Sequence, residues 1–363
     1  MALVPFTLPG ESVQVELGKG VEATLRGVTT SSELRQDPKC PLFRECGGCH
    51  YQHAPYSFQS SQKAEILREQ LARVGKIRYE GEIKIVESEP WGYRNRVQLR
   101  VERGKLGYRA AASHRFVPLE GDCPVASPRL NRAIEEMRER MRDGRFPRFV
   151  QELELFTNET DVQVNILESE RPVAQRFYQW CESVARIEYP TRHGVMRVGT
   201  KSFFQVNRFL VDDLVDIAVG GESGKLALDL YAGVGLFSAP LSRQFKRVIA
   251  VESGNGAIED MVHNVPEADA IHARVEEYIS SVDERPDLIL ADPPRAGIGK
   301  GVASQLNRIG AQRVVLVSCD AATLARDLAM LDTYELEQLT MVDLFPQTFH
   351  LETVARLRRR TLS

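Results

Sequence analysis

The chain has 363 residues, is 43% hydrophobic and 27% charged, and carries a formal net charge of −3. That composition fits a globular protein of two or three domains and excludes a disordered or fibrous chain. No apolar run approaches the length of a membrane span, and no overall positive field advertises nucleic acid.

The first residues, M-A-L-V-P-F-T-L-P-G, place no basic segment ahead of a long apolar core, so a cytoplasmic location is expected. Residues 1–38 alternate loosely, as in E-S-V-Q-V-E-L and V-E-A-T-L-R-G-V. This predicts two or three short strands around Gly-rich turns, too few for an independent core. Residues 39–55 are rich in Cys, Gly, His and Pro and show little periodicity. The run S-F-Q-S-S-Q-K-A-E-I-L-R-E-Q-L-A-R-V predicts a helix with Ile66, Leu67, Leu71 and Val74 near one face. Residues 94–109 alternate as strands do, 125–145 read as a polar helix, and 149–167 hold two strand-like runs joined by T-N-E-T-D. The whole of 86–200 is thus expected to be a sheet with helices. Its charge is uneven: from Trp91 to Arg115 there are six arginines and one lysine against one glutamate. That segment is a candidate for phosphate contacts.

From about 225 the pattern changes. Apolar runs (L-A-L-D-L-Y, R-V-I-A-V-E, A-I-H-A-R-V, D-L-I-L-A-D, R-V-V-L-V-S) alternate with helical stretches. Continuous apolar runs mark strands buried on both faces, hence a mostly parallel sheet. The fold class is α/β, with sites expected at the C-terminal ends of the strands.

Three strand ends carry candidate chemistry. In L-D-L-Y-A-G-V-G-L-F-S, Asp229 ends a strand and Gly233 and Gly235 lie in the turn before a helix. Glycines there let a backbone approach a ligand closely. Glu252 ends the next strand, where an acid can accept from both hydroxyls of a ribose. The context fits a dinucleotide site, but Asp229 would repel a pyrophosphate and suits a cationic ligand such as S-adenosylmethionine better. In A-D-P-P-R-A-G-I-G, two prolines after Asp292 stiffen a strand-end loop that can wall a flat substrate, and Arg295 can meet negative charge. Cys319, in V-S-C-D-A-A-T-L-A-R-D-L, is either a buried strand-end thiol or a presented nucleophile. Thr323 and the helix after it would bring N–H groups that favour a thiolate. Finally, in V-D-L-F-P-Q-T-F-H-L-E-T-V, His350 and Glu352 are two apart and share one side of an extended segment. Either can act as a base, and an apolar setting would raise the pKa of Glu352.

The six cysteines do not form a disulfide framework in a cytoplasmic chain. Cys40, Cys46 and Cys49 are crowded in C-x5-C-G-G-C, and Cys123, in E-G-D-C-P, offers a fourth thiolate. Four thiolates suit zinc or a [4Fe–4S] cluster; the Cys-Pro step favours the cluster, and the paired C-x2-C of a zinc ribbon is missing. Cys181 lies among apolar helix positions and is expected to be packing.

Together these motifs resemble the RNA uracil-C5 methyltransferases, the S-adenosylmethionine-dependent family that makes 5-methyluridine, over residues 40–360 or so. The carriers are the four cysteines, S-F-F-Q-V-N, L-D-L-Y-A-G-V-G-L-F, D-P-P-R, S-C-D-x-x-T-L-A-R-D and F-P-x-T-x-H-x-E. The resemblance implies a Rossmann-like class I methyltransferase domain at 201–363 and a central α+β RNA-binding domain at 86–200. Ahead of these it implies an iron–sulfur segment at 39–85 and a truncated TRAM-like β segment at 1–38. It implies Cys319 as nucleophile and Glu352 as base. It places cofactor contacts at Gln205, Asp229, Tyr231, Gly233, Gly235, Glu252 and Asp292. Substrate contacts fall at Phe203, Pro293, Pro294, Arg295 and His350. Cys40, Cys46, Cys49 and Cys123 become ligands of a [4Fe–4S] cluster. The implied partner is RNA, 23S ribosomal RNA before transfer RNA, for a monomer with no membrane and no obligate protein partner. The chain departs from the pattern at E-S-G-N-G-A-I-E-D-M, with glycines in the cofactor helix, and at Phe349, where many members carry a histidine. Two rivals are a cytosine-C5 methyltransferase and a non-catalytic iron–sulfur RNA-binding protein. The position of Cys319 after the fifth strand opposes the first, and the pairing of Cys319 with Glu352 opposes the second.

Overall fold

The computed structural model describes residues 2–111 and 113–361. Strands β1 (Ser12–Leu17) and β2 (Ala23–Thr30) form an antiparallel hairpin with two register shifts. Among the described residues of 2–38, just three apolar side chains are buried, Leu8, Ala23 and Leu25. The hairpin therefore leans on the cysteine-rich segment: the Phe6 ring meets Phe43 edge-on at 5.3 Å, and Arg44 Nη2 donates to Leu25 O at 3.1 Å.

Helix α1 (Tyr56–Arg73) buries Leu67 and Leu71 as expected. Ile66 and Val74 instead lie 37% and 44% exposed. The buried stripe runs through Gln59, Ser60, Lys63, Leu67 and Leu71, a helical spacing whose N-terminal half is polar. Those polar groups tolerate burial because each is hydrogen-bonded. Strand β3 (Ile83–Val86) follows.

The next elements are β4 (Arg96–Glu102), β5 (Lys105–Arg109), β6 (Phe116–Pro118), α2 (Pro128–Arg142), β7 (Val150–Thr157), β8 (Val162–Ser169) and α3 (Gln175–Trp180). The five strands make an antiparallel sheet in the order β6-β5-β4-β7-β8. Leu99, Leu153 and Leu155 on the sheet pack with Leu130, Ile134 and Met137 of α2, and Cys181 joins this core. Ser127 Oγ accepts from Leu130 N at 3.2 Å and Pro128 opens the helix, which fixes where α2 begins. A hairpin of β9 (Arg186–Thr191) and β10 (Gly194–Gly199) then leads into the larger sheet.

That sheet is built with α4 (Val211–Val219), β11 (Gly224–Leu230), α5 (Ser238–Gln244), β12 (Phe245–Glu252), α6 (Asn255–Asn264), β13 (Asp269–His272), α7 (Val275–Tyr278), β14 (Leu288–Ala291), α8 (Gly299–Ile309), β15 (Arg313–Ser318), α9 (Ala321–Ala329), β16 (Tyr334–Val342) and β17 (Glu352–Arg359). The strand order is β13-β12-β11-β14-β15-β17-β16-β3. The first five are parallel; β17 runs antiparallel to both neighbours, and β3 adds to the far edge parallel to β16. One face packs Leu306, Leu324 and Leu328 with Leu67 and Leu71 of α1; the other packs Leu214, Val215 and Leu241 with the β9–β10 hairpin. The chain adds β12 and β13 on one side of β11 and β14 and β15 on the other, and such a reversal of winding opens a crevice at the strand C-termini.

Lys63 and Asp343 form an ion pair at 2.7 Å with both side chains fully buried, and Lys63 Nζ also donates to Phe345 O at 3.0 Å. This pair pins α1 to the turn between β16 and β17. Lys63→Met should destabilise the fold by about 3 kcal/mol in urea unfolding, because it strands a buried carboxylate. Removing both charges, in Lys63→Met with Asp343→Leu, should cost less than the single change.

Candidate active site

A cleft of about 1110 Å³ opens at that crevice. Of the sequence-expected residues, Phe203, Gln205, Tyr231, Gly233, Glu252, Asp292, Pro293, Pro294, Arg295, Cys319, His350 and Glu352 line it. Asp229 and Gly235 do not.

The glycine loop explains both exceptions. Tyr231, Gly233 and Gly235 take φ of +62°, +57° and +88°. At Gly235 a Cβ would meet Val265 Cγ2 at 2.9 Å, so this glycine permits close helix packing rather than ligand contact. Asp229 is fully buried under the loop, where its Oδ2 accepts from the Ser238 hydroxyl at the start of α5. Burial pushes its carboxyl up to about 7. It braces the loop from below. Glu252 reaches the cleft and accepts from Gly233 N at 2.9 Å and Gly254 N at 2.5 Å. Two backbone donors thus fix this carboxylate at the end of β12.

Cys319 and Glu352 meet through strand register. Ser318 of β15 pairs with Thr353 of β17, so the next residues along, Cys319 and Glu352, face each other at the strand ends. Glu352 also pairs with Val342 of β16, which holds it from the other side. Burial, then the charge of Asp292, raises the Glu352 carboxyl well above its usual range, and Glu352 Oε1 has no hydrogen-bond partner among the described residues. Burial, then the charge of Asp229, pushes Asp292 up to about 7. Burial and the Glu352 charge raise the Cys319 thiol, whereas the positive charge of the Arg295 guanidinium opposes the shift. The expected help from Thr323 is redirected: its N–H donates to Asp320 Oδ1 at 2.8 Å, capping α9. Arg295 is the cation beside the thiol instead. It is held by His350, whose Nδ1 lies 2.7 Å from Arg295 Nη2. Burial lowers His350 to about 4, so its ring is neutral and Nδ1 accepts. The D-P-P-R loop is further tied to α9 by Thr323 Oγ1 to Arg295 O at 3.2 Å and Arg326 Nη2 to Ala296 O at 2.6 Å.

The cleft also contains Ser253, Arg274 and Glu276, which motif reading missed. Their signal was available: they follow the C-terminal ends of β12 and β13. The arginine segment divides. Arg96 is buried, with Nη1 donating to Glu154 at 3.3 Å and Ser202 O at 3.1 Å, and Arg94 lies in the wall between the cleft and a second cavity. Arg103, Lys105, Arg109 and Arg115 face outward.

The second cavity, about 320 Å³, is lined by Cys40, Cys46, Cys49 and Cys123. Among the described residues, no three His, Cys, Asp or Glu side chains are gathered around one ion position. The metal site expected from the spacing is therefore not seen, although all four cysteines line one cavity. Burial pushes the Cys46 thiol up to about 11 and Cys49 to about 12, so a metal would have to displace their protons. Gly48 N donates to Cys46 Sγ at 3.3 Å.

Alkylation of Cys319 by iodoacetamide, followed site by site by peptide mass mapping, reports its thiolate directly. Arg295→Met removes a charge that favours the thiolate and should move the alkylation midpoint to higher pH. Asp292→Asn removes a charge that opposes it and should move the midpoint to lower pH.

Comparison with known proteins agrees with this geometry. The family model described as tRNA (Uracil-5-)-methyltransferase matches residues 277–360, which hold Asp292, Cys319 and Glu352. A "tRNA (uracil(54)-C(5))-methyltransferase" of Pyrococcus furiosus is 30% identical, with 98% of this chain and 95% of that protein covered. The "23S rRNA (uracil(1939)-C(5))-methyltransferase RlmD" of Halomonas elongata is 31% identical, with 98% and 84% covered. The crystal structure of Pyrococcus abyssi tRNA (uracil-54, C5)-methyltransferase with S-adenosyl-L-homocysteine superposes with a TM-score of 0.79 at 27% identity, covering 98% and 95% of the two chains. The strand-end cleft, the glycine loop and the full-length relatives together place this chain in the RNA uracil-C5 methyltransferase family.

Proposed function

We propose that the chain transfers a methyl group from S-adenosylmethionine to C5 of a uridine in 23S ribosomal RNA. The observation that carries the chemistry is the register-enforced apposition of Cys319 and Glu352 in a cleft that also presents the glycine loop and Glu252. Bound S-adenosylmethionine supplies an electrophilic methyl group. Gly233, Tyr231, Glu252 and Gln205 are placed to hold it. Phe203, Pro293, Pro294, Arg295 and His350 are placed to hold the uracil, which must leave its stack to enter.

Uracil C5 is a weak nucleophile. The Cys319 thiolate adds to C6 and gives C5 carbanion character, so that C5 can take the methyl group. Arg295 favours the thiolate before attack. Glu352 then takes the C5 proton, and the electrons of that C–H bond re-form the C5–C6 double bond as the Cys319–C6 bond breaks. A carboxylate whose pKa is raised by burial is a better proton acceptor than an exposed one. Outward-facing Arg103, Lys105, Arg109 and Arg115 suit phosphate contacts, in keeping with an RNA-binding role for the central region 86–200.

We infer a [4Fe–4S] cluster held by Cys40, Cys46, Cys49 and Cys123, a reading that rests on their lining of one cavity. A cluster spreads its thiolates over several irons, which suits four thiols around one space better than a single ion does. Methyl transfer needs no electron from it; the group would cross-link residues 39–55 to the central sheet. The relatives named for uridine 54 of transfer RNA supply a second reading of the target, since they match along nearly their full length.

Transcripts of 23S and transfer RNA tritiated at uridine C5 distinguish the targets; release from ribosomal RNA is expected, and release from transfer RNA alone would replace the first reading by the second. Cys319→Ala should abolish both release and the covalent adduct with 5-fluorouridine RNA. Glu352→Gln should still form the adduct with ordinary RNA but turn over at least about a hundredfold more slowly, leaving protein–RNA adduct visible on denaturing gels. Protein purified without oxygen should be brown and contain iron and acid-labile sulfide in equal amounts; colourless, zinc-loaded protein would sink the cluster.

A further inference from the structure

Phe349 stands 50% exposed beside the cleft, an unusual place for a large apolar ring. Its ring centroid lies 4.3 Å from that of His350, which lines the cleft, and 4.4 Å from that of His50, which directly follows Cys49. The His50 and His350 rings themselves meet edge-on at 6.5 Å, so the three rings form one aromatic group.

The group is fixed from behind. Gln347 is buried in a left-handed turn at φ +67°. Its carbonyl accepts from His50 N at 2.7 Å and Tyr51 N at 3.0 Å. Gln59 makes two further bonds to it: Nε2 to Gln347 Oε1 at 3.0 Å, and Oε1 from Gln347 N at 3.1 Å. The Tyr93 hydroxyl donates to Pro346 O at 3.0 Å. The turn's polar groups are thus engaged inward while Phe349 is left at the surface.

We propose that Phe349, backed by His50 and His350, is a stacking site for the RNA base next to the target uridine. The proposal rests on the methyltransferase reading for the identity of its ligand. A uridine drawn into the cleft brings its covalently linked neighbours to the rim, where an unstacked base regains its stacking on an exposed ring. Arg295, in contact with His350, lies beside the rings and can meet the intervening phosphate. Stacking reads no base edge, so the site favours larger purines without demanding one sequence. The cysteine loop then contributes to substrate binding through His50.

The probe is a short single-stranded RNA with one uridine flanked on its 5′ or 3′ side by 2-aminopurine, with S-adenosylhomocysteine present to prevent turnover. Fluorescence quenching is expected for one of the two placements, lost in Phe349→Ala and restored in Phe349→Trp. S-adenosylhomocysteine affinity should be unchanged in both variants, which shows that the cleft remains folded. In tritium release, Phe349→Ala should raise KM about tenfold and change kcat less than about twofold. No quenching with wild-type protein in either placement, or equal quenching in Phe349→Ala, overturns the site. Quenching that depends on Phe349 in a protein that releases no tritium would sustain the stacking site and refute the methyltransferase reading.

Discussion

The antiparallel return of β17 between β15 and β16 is the constraint on which the cleft depends. Cys319 ends one strand and Glu352 begins another far along the chain, and the Ser318–Thr353 pairing puts them opposite each other. A slip of one residue would turn every β17 side chain to the other face and carry Glu352 away from the thiol. Pairing on both edges of β17 opposes such a slip, as does the packing of Val354 and Leu357 into the cores on the two faces of the sheet.

Around this pair, burial sets the charge state. Asp229, Asp292 and Glu352 are all pushed upward by desolvation, and each acid's charge adds to the burden on a neighbour. A cationic ligand in the cleft reverses part of that penalty, because opposite charge favours the ionised carboxylate. Binding of a sulfonium and ionisation of the acids are therefore linked in sign: such a ligand draws protons off these carboxyls. Arg295 works on the thiol in the same direction.

The segment carrying Glu352 is also held from outside the sheet. Lys63 and Gln59 of α1, Tyr93, and the backbone of the cysteine loop all bind residues 343–347. Parts of the chain remote from the cleft thus set the position of the segment that leads to Glu352. This is a physical reason for the cysteine loop and the methyltransferase sheet to be one unit, independent of any electron transfer.

The strand-end residues were legible in the sequence because chemistry-bearing side chains sat beside punctuating glycines and prolines after apolar runs. The α/β class, Glu252, the D-P-P-R loop, Cys319 and Glu352 all followed from that pattern and from the family resemblance. Local pattern could not distinguish residues that touch the cleft from those that brace it: Asp229 and Gly235 carry the same motif signal as Gly233, yet they serve the packing beneath. Nor could it divide the arginines, since burial of Arg96 depends on Glu154 and Ser202 from distant segments. Helix periodicity alone misplaced Ile66 and Val74, because polar Lys63 and Gln59 took the inner face once Asp343 and Gln347 were there to receive them. The sequence by itself determined which functional groups exist and that they lie at strand ends. Which groups face one another, which carry charge and which stay exposed was decided by tertiary structure alone, because register, desolvation and the pairing of buried polar atoms arise only when remote segments meet.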